Sequence, residues 1–204
     1  MRRTKEDAEQ TRQTILDAAE ALFLSNGVSR TSLEMIAREC GFTRGAVYWH
    51  FRDKAQLVHE MLNRIRIPLD EFTKQLSMDG EGDCLMRLYE LCVKCMEKFV
   101  QPGRERRVMT IMMHRCEFTL ELQEVEQREN AMTRQFVALV ERLFDGQRQR
   151  LQTEVTPRGA SLQLHSLFSG TLAGILRDQD IFAPLMDVRL IFTLYFRSLV
   201  KDWP

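Results

Sequence analysis

A short run of this chain concentrates residues able to read a nucleic acid. Thr43, Arg44, Gly45, Ala46, Tyr48, Trp49 and His50 fall within eight positions, and Thr31, Ser32 and Lys54 flank them. A guanidinium at Arg44 can donate to two acceptors on one guanine edge. Thr43, at the start of a helix, can bring its hydroxyl and a helix-end amide to one phosphate. Gly45 carries no side chain, so the backbone there can come close to the bases. Tyr48 and His50 are candidate phosphate donors. Lys54 can set a cation on the sugar–phosphate backbone, and Thr31 and Ser32 can contact phosphate on the other side of a groove. Taken singly, such residues are as often core edge or solvated surface. Their order over one stretch is what favours DNA.

A second set of residues suits an adaptable apolar pocket. The chain has 11 methionines. Met86, Met96, Met109, Met112, Met113 and Met132 lie on predicted helices, and unbranched thioethers pack adaptably. Phe72, Phe99, Phe136 and Phe168 are candidate walls. His114, Glu117 and Gln135 are polar candidates for orienting a ligand. The plainer alternative is that methionine fills core. Cys92 and Cys95, with His114 and Cys116, could in principle supply soft metal ligands or a thiol sensor. Yet Cys92 and Cys95 sit in an apolar helical stripe with Leu88, Leu91, Met96 and Phe99, where small buried hydrophobes explain them equally well. No metal and no cofactor is expected. The four histidines are scattered, and the chain has no phosphate-binding glycine loop, His-Glu-x-x-His or Gly-x-Ser-x-Gly. A helical enzyme is therefore the remotest alternative, and no catalytic residue is assigned.

The elements that must position these residues are helical throughout. Ile15, Ala18, Ala19, Leu22 and Phe23 recur at one helical face, as do Leu88, Leu91, Cys92, Cys95, Met96 and Phe99, and again Phe136, Leu139, Val140 and Leu143. Alternating strand patterns are missing. A first helix, which Thr4 and Asp7 can cap, stops at Gly27. Thr31-Ser32-Leu33-Glu34 reads as a capping box opening a second helix, closed by Cys40-Gly41. Thr43 opens a third from Arg44 to His50. Asp53-Lys54-Ala55-Gln56 opens a fourth that runs toward Pro68. Longer helices are predicted near 84–100, 104–114, 120–148, 158–177 and 185–201. The second helix, a tight turn with Gly41 and the short third helix form a helix-turn-helix. Ile36, Ala37, Phe42, Val47 and Phe51 close its core. The basic run Gly146 to Leu151 has no account at this level.

Composition sets the limits. The 204 residues suffice for one large domain or two small ones, with 44% apolar and 28% charged residues, a globular balance. Twenty-nine basic and 29 acidic residues cancel. That excludes a diffuse polybasic coat but leaves room for a local basic site. Five cysteines point to reduced thiols in a cytoplasmic protein. The charged start lacks the apolar run of a signal peptide, and no stretch nears the roughly 18 apolar residues of a membrane helix. No membrane partner is expected.

Residues Thr11 to Leu62 resemble the DNA-binding domain of the TetR family of transcriptional repressors. The matching residues are Ile15-Leu16-Asp17-Ala18-Ala19, Phe23, Gly27, Thr31 through Ala37, Gly41, Thr43 through Phe51 and Lys54-Ala55-Gln56-Leu57. They span about a quarter of the chain, densely and in order. The start Arg2-Arg3-Thr4-Lys5-Glu6, the run Arg44 through Phe51 and, less specifically, Arg106-Arg107 through Phe118 are most similar to the AcrR-type branch. The resemblance implies an all-α, nine-helix protein. Residues 1–60 would bind DNA, and 61–204 would form a ligand-binding and dimerisation bundle. It implies a homodimer on a near-palindromic double-stranded operator, repressing a multidrug efflux operon and hence bearing on antibiotic resistance. A small hydrophobic or cationic drug-like ligand would release it through helix four, where proline's missing amide donor makes Pro68 either a pivot for the signal or only a helix terminator. The dimer seam is expected on the last two helices, at Leu164, Leu167, Phe168, Ile191, Leu194 and Tyr195. The runner-up is a thiol- or metal-responsive helical sensor using Cys92, Cys95 and Cys116.

Overall fold

The computed structural model describes residues 5–65, 83–178, 180 and 184–204. Among them are nine α-helices: α1 Lys5–Asn26, α2 Leu33–Glu39, α3 Arg44–His50, α4 Lys54–Asn63, α5 Cys84–Val100, α6 Arg104–His114, α7 Gln123–Gly146, α8 Pro157–Arg177 and α9 Pro184–Leu199. Short 3₁₀ turns occupy Leu120–Leu122 and Arg148–Arg150. No strand is present among the described residues beyond an isolated antiparallel bridge between Leu151 and Val200. Phe72, Pro68, Thr4 and the predicted run of α4 toward Pro68 lie outside the described residues.

The chain forms two compact units. The first comprises Met1–Arg66 and Arg107–Glu129, and the second Ile67–Arg106 and Asn130–Pro204.

In the first unit, α1 buries Ile15, Leu16, Ala18, Ala19 and Phe23 at the predicted helical spacing. It stops at Gly27, whose φ of +87° is open to glycine and strained for other residues. The next amide, Val28 N–H, donates to the Arg115 carbonyl at 2.9 Å. Gly41, at φ +71°, turns the chain between α2 and α3. Ile36, Ala37, Val47, Phe51, Leu57, Val58 and Met61 close the core, with Phe42 half-buried. Each large side chain withdrawn from water contributes about 1.5–3 kcal/mol. Val108, Ile111, Leu122 and Val125 are buried on the later segment. Buried Glu20 on α1 accepts from Arg107 Nε at 2.6 Å. Arg64 donates to Asp17 at 2.7 Å and to the Gln13 carbonyl at 3.1 Å.

Two predicted details change. The cap of α2 is Ser32, whose hydroxyl accepts from Met35 N–H at 3.2 Å. Thr31 turns inward instead, its hydroxyl donating to the Gly27 carbonyl at 2.8 Å, because the preceding turn leaves that carbonyl to be satisfied. At α4 the Asp53 carboxylate accepts from Gln56 N–H at 2.8 Å, as a capping box requires. The Gln56 side chain reaches back one residue further, to Arg52 N–H at 2.8 Å.

In the second unit, α9 packs on α5 and α8, and α5 on α8. Leu85, Leu88, Leu91, Cys92 and Met96 of α5 are buried, and an aromatic cluster is centred on Phe196. Trp203 stacks on Phe196 with centroids 4.7 Å apart, and Tyr89, Phe144 and Tyr195 surround it. The Tyr195 hydroxyl donates to the Ala160 carbonyl at 2.5 Å. The basic run now has an account. Arg150 binds both oxygens of Asp83, at 2.7 and 2.6 Å, while Asp83 caps α5 through Leu85 N–H at 2.9 Å. The predicted helix over 120–148 is a 3₁₀ turn followed by α7. The last predicted helix, 185–201, runs from 184 to 199.

Candidate nucleic-acid interface

Three side-chain caps set the helix-turn-helix. Ser32 opens α2, Thr43 opens α3 by accepting from Ala46 N–H at 3.2 Å, and Asp53 opens α4. Each satisfies an amide that the first turn leaves unpaired, worth about 1 kcal/mol. Val47 is the buried residue of α3. The residues around it therefore face outward, as the helical period requires. Thr43, Arg44, Gly45, Tyr48 and Trp49 are exposed, and Ala46 and His50 are half-buried. Trp49 is 73% exposed, its ring edge-on to His50 at 4.5 Å. The Arg44 guanidinium lies 5.3 Å from the Tyr48 ring centroid one turn on, and donates to its hydroxyl at 3.4 Å.

Beside α3 lies an open cavity of about 380 Å³, lined by Arg30, Ser32, Arg44, Tyr48, Arg52 and Lys54 among others. Ser32 is exposed there. Thr31 and Lys54 depart from the expected outer-face placement. Thr31 is buried, its hydroxyl used internally. The Lys54 ammonium donates to the Thr31 carbonyl at 3.3 Å and pairs with Glu121 at 3.0 Å, because the start of α4 packs against the 3₁₀ turn at 120–122. Arg30, Arg52 and Glu121 belong to this face and escape a reading of the sequence. Arg52 leaves a local trace, standing just before the Asp53 cap. Glu121 leaves none, since its partner is distant in sequence.

The pocket candidates fall in both units. Met109, Met112, Met113 and His114 are half-buried on α6 in the first unit, and Glu117 is exposed beyond it. In the second unit Met96 is buried, while Met132, Phe136, Phe99 and Phe168 are half-buried and Gln135 is exposed. Phe99 and Phe168 come together edge to face at 6.4 Å, with Phe192 next in the row at 6.1 Å. Burial pushes all five cysteine thiols up from their ordinary value. Cys116 reaches about 11, and Cys92, wholly enclosed, goes higher. Among the described residues, no three His, Cys, Asp or Glu side chains converge to hold a metal. No helix among them is long and apolar enough to cross a membrane.

A model of "Bacterial regulatory proteins, tetR family" matches residues 15–61, and one of "MAATS-type transcriptional repressor, C-terminal region" matches residues 83–200. The chain is 40% identical to the HTH-type transcriptional regulator TtgR of Pseudomonas putida over 65% of its own length and 63% of that regulator's. It is 34% identical to the HTH-type transcriptional regulator AcrR of Shigella flexneri over 90% of its own length and 84% of the other's. The crystal structure of NalD, the secondary repressor of the MexAB-OprM multidrug efflux pump in Pseudomonas aeruginosa, matches with TM-score 0.92 and 49% identity. That match covers 98% of this chain and 100% of NalD. A SmeT–triclosan complex matches with TM-score 0.81 at 30% identity, covering 95% of this chain and 93% of that one.

Proposed function

The chain belongs to the TetR family of bacterial regulatory proteins, and from this we propose that it is a ligand-responsive DNA-binding repressor of a multidrug efflux operon. Residues 1–60 read DNA, and residues 61–204 bind ligand and pair two copies. The observation that carries the reading is the outward face of α3. Arg44, Tyr48 and Trp49 project from a helix held in place by the Thr43 cap and buried Val47. Arg44 reads a base edge, while Thr43, Tyr48, His50 and Ser32 hold phosphates. A two-fold dimer sets two such helices on successive major grooves of a near-palindrome. A ligand that favours a wider spacing of the readers draws the population off the operator. DNA then weakens ligand binding by the same factor.

Likeness to repressors of multidrug pumps supports the choice of operon, and the SmeT–triclosan complex supports a small apolar ligand. A thiol sensor is the weaker reading. It requires a ready thiolate, and burial raises every cysteine here. A gel shift on the DNA upstream of the chain's own gene tests the proposal. Unlabelled copies of that DNA should compete and scrambled DNA should not. Triclosan, or a lipophilic cation such as tetraphenylphosphonium, should release the complex. Equal competition by scrambled DNA would remove the repressor reading. Release by an oxidant alone, lost when Cys84, Cys92, Cys95 and Cys116 are replaced, would turn it to a thiol sensor.

A further inference from the structure

The side chain of Lys54 is 9% exposed, and its charge has to be met from inside the protein. Its Nζ donates to the carbonyls of Thr31 at 3.3 Å and Ser29 at 3.5 Å, both neutral acceptors. A carboxylate, Glu121 Oε2, stands 3.0 Å away. Glu121 comes from the 3₁₀ turn that packs on α4, and it is 51% exposed. It lines the same cavity as Arg30, Ser32, Arg44 and Tyr48. Three positions on, Glu124 lies 3.7 Å from Arg52 at the rim. One segment thus sets two carboxylates against two cations of the face that would meet phosphates.

We infer that Glu121 is an internal anion that sets the affinity of the DNA face. This rests on the DNA-binding reading of that face. In the free protein Glu121 holds the Lys54 ammonium. As DNA arrives, it opposes a phosphate at the same cavity, because screening over about 10 Å at 0.1 M salt leaves neighbouring charges coupled. Its sign separates this role from a structural one. If Glu121 only supported Lys54, neutralising it would loosen α4 and weaken DNA binding. As an opposing charge, its loss strengthens binding to any sequence, since phosphates carry no base information. The segment Arg107–Glu129 that carries it is joined through the chain at both ends to the second unit. A shift of that segment therefore changes the anion at the DNA face.

Fluorescence anisotropy on the upstream duplex and on a scrambled duplex, over a range of salt, tests this with the full chain. Glu121→Gln should bind both duplexes about 3- to 10-fold tighter at low salt. The slope of log affinity against log salt should steepen by up to about one unit as the face loses one opposing charge. Glu121→Asp, which keeps the charge, should stay near the parent. Glu121→Ala is a second neutral variant, and thermal melts followed by circular dichroism report folding. Parental or weaker binding by a folded Glu121→Gln would overturn the inference while the parent's sequence preference keeps the repressor reading intact. Loss of a cooperative melt in both neutral variants would make the pair a fold support and overturn it too. A parent that does not distinguish the two duplexes would sink the reading and the inference together.

Discussion

Arg44 and Tyr48 stand one helical turn apart, so the guanidinium rests against the phenol ring instead of sweeping through solvent. Such a contact at an exposed site is worth about 0.5–1 kcal/mol, enough to bias a rotamer without fixing it. Arg44→Ala should cost about 1–3 kcal/mol on the preferred operator and relax the base preference. Tyr48→Phe removes one phosphate donor and should weaken all sequences alike. Anisotropy titrations across single-base operator variants separate the two. An Arg44→Ala protein that lost the same factor on every variant would take Arg44 out of base readout. The outward residues of α3 were legible in the sequence because one turn of helix determines their direction. The true settings of Thr31 and Lys54 were not, because each depends on a partner that local spacing does not reveal. For Thr31 it is the Gly27 carbonyl left over by a turn, and for Lys54 it is Glu121 from a distant segment. Buried Glu20 shows the same limit, since an acid beside Ala18 and Ala19 gives no sign that Arg107 will meet it.

At the scale of elements, stop and start chemistry did most of the positioning. Gly27 ends α1 at a φ where a Cβ is strained by about 1–2 kcal/mol, and a Cβ there would also meet the Arg115 carbonyl at 3.4 Å. Gly27→Ala should therefore lower stability by at least that amount in urea unfolding. An unchanged midpoint would mean that the turn relaxes freely. Asp83 provides a second test. The Arg150 guanidinium holds its carboxyl below the ordinary carboxylate range. The folded state then keeps this group charged where the unfolded chain begins to protonate it. The stabilisation is complete above the ordinary value near 4 and is lost as pH falls through the lowered folded value. Asp83→Asn keeps a cap acceptor and loses the charge. It should cost about 1 kcal/mol at neutral pH, discounted for partial exposure. The gap to the parent should close as the pH falls from about 5 to 2, followed by urea melts at each pH. A constant gap would assign the loss to packing. The helices themselves were legible because their apolar residues recur at 3.6. Their ends shifted by one to three residues, as where a 3₁₀ turn takes the start of the predicted helix over 120–148, and the cap of α2 went to Ser32.

For the whole molecule, the apolar surface of the second unit is where a second copy would bind under the proposed function. Leu190 and Leu194 are 54% and 56% exposed, one turn apart on α9, and Leu162 is exposed on α8. Leu164 and Tyr195, both candidates for that seam, lie inside the unit, with Tyr195 tied to the Ala160 carbonyl. The period placed apolar residues on these helices but could not say which of two apolar faces turned inward. Leu190→Asp with Leu194→Asp should raise the dimer dissociation constant by about 100-fold or more, as loss of central apolar anchors does. Operator binding should fall with it. Sedimentation velocity across a concentration series checks the mass. A double variant that sediments like the parent would move the seam elsewhere.

The way the backbone is interleaved matters to anyone exchanging parts between related regulators. Residues 107–129 complete the first compact unit although 83–106 have already entered the second. During synthesis, the helix-turn-helix leaves the ribosome before Arg107 can reach Glu20 and before Arg115 can accept from Val28. At about 5–20 residues per second that wait lasts several seconds, an interval in which the half-finished unit leaves its docking surface uncovered. A hybrid repressor spliced at a single junction near residue 60 would inherit the same gap permanently, with a foreign segment docked on its reader. Transplanting 1–66 together with 107–129 keeps those contacts native. Such a two-piece graft should express in soluble form and melt near its donor, while the single-junction graft should melt lower.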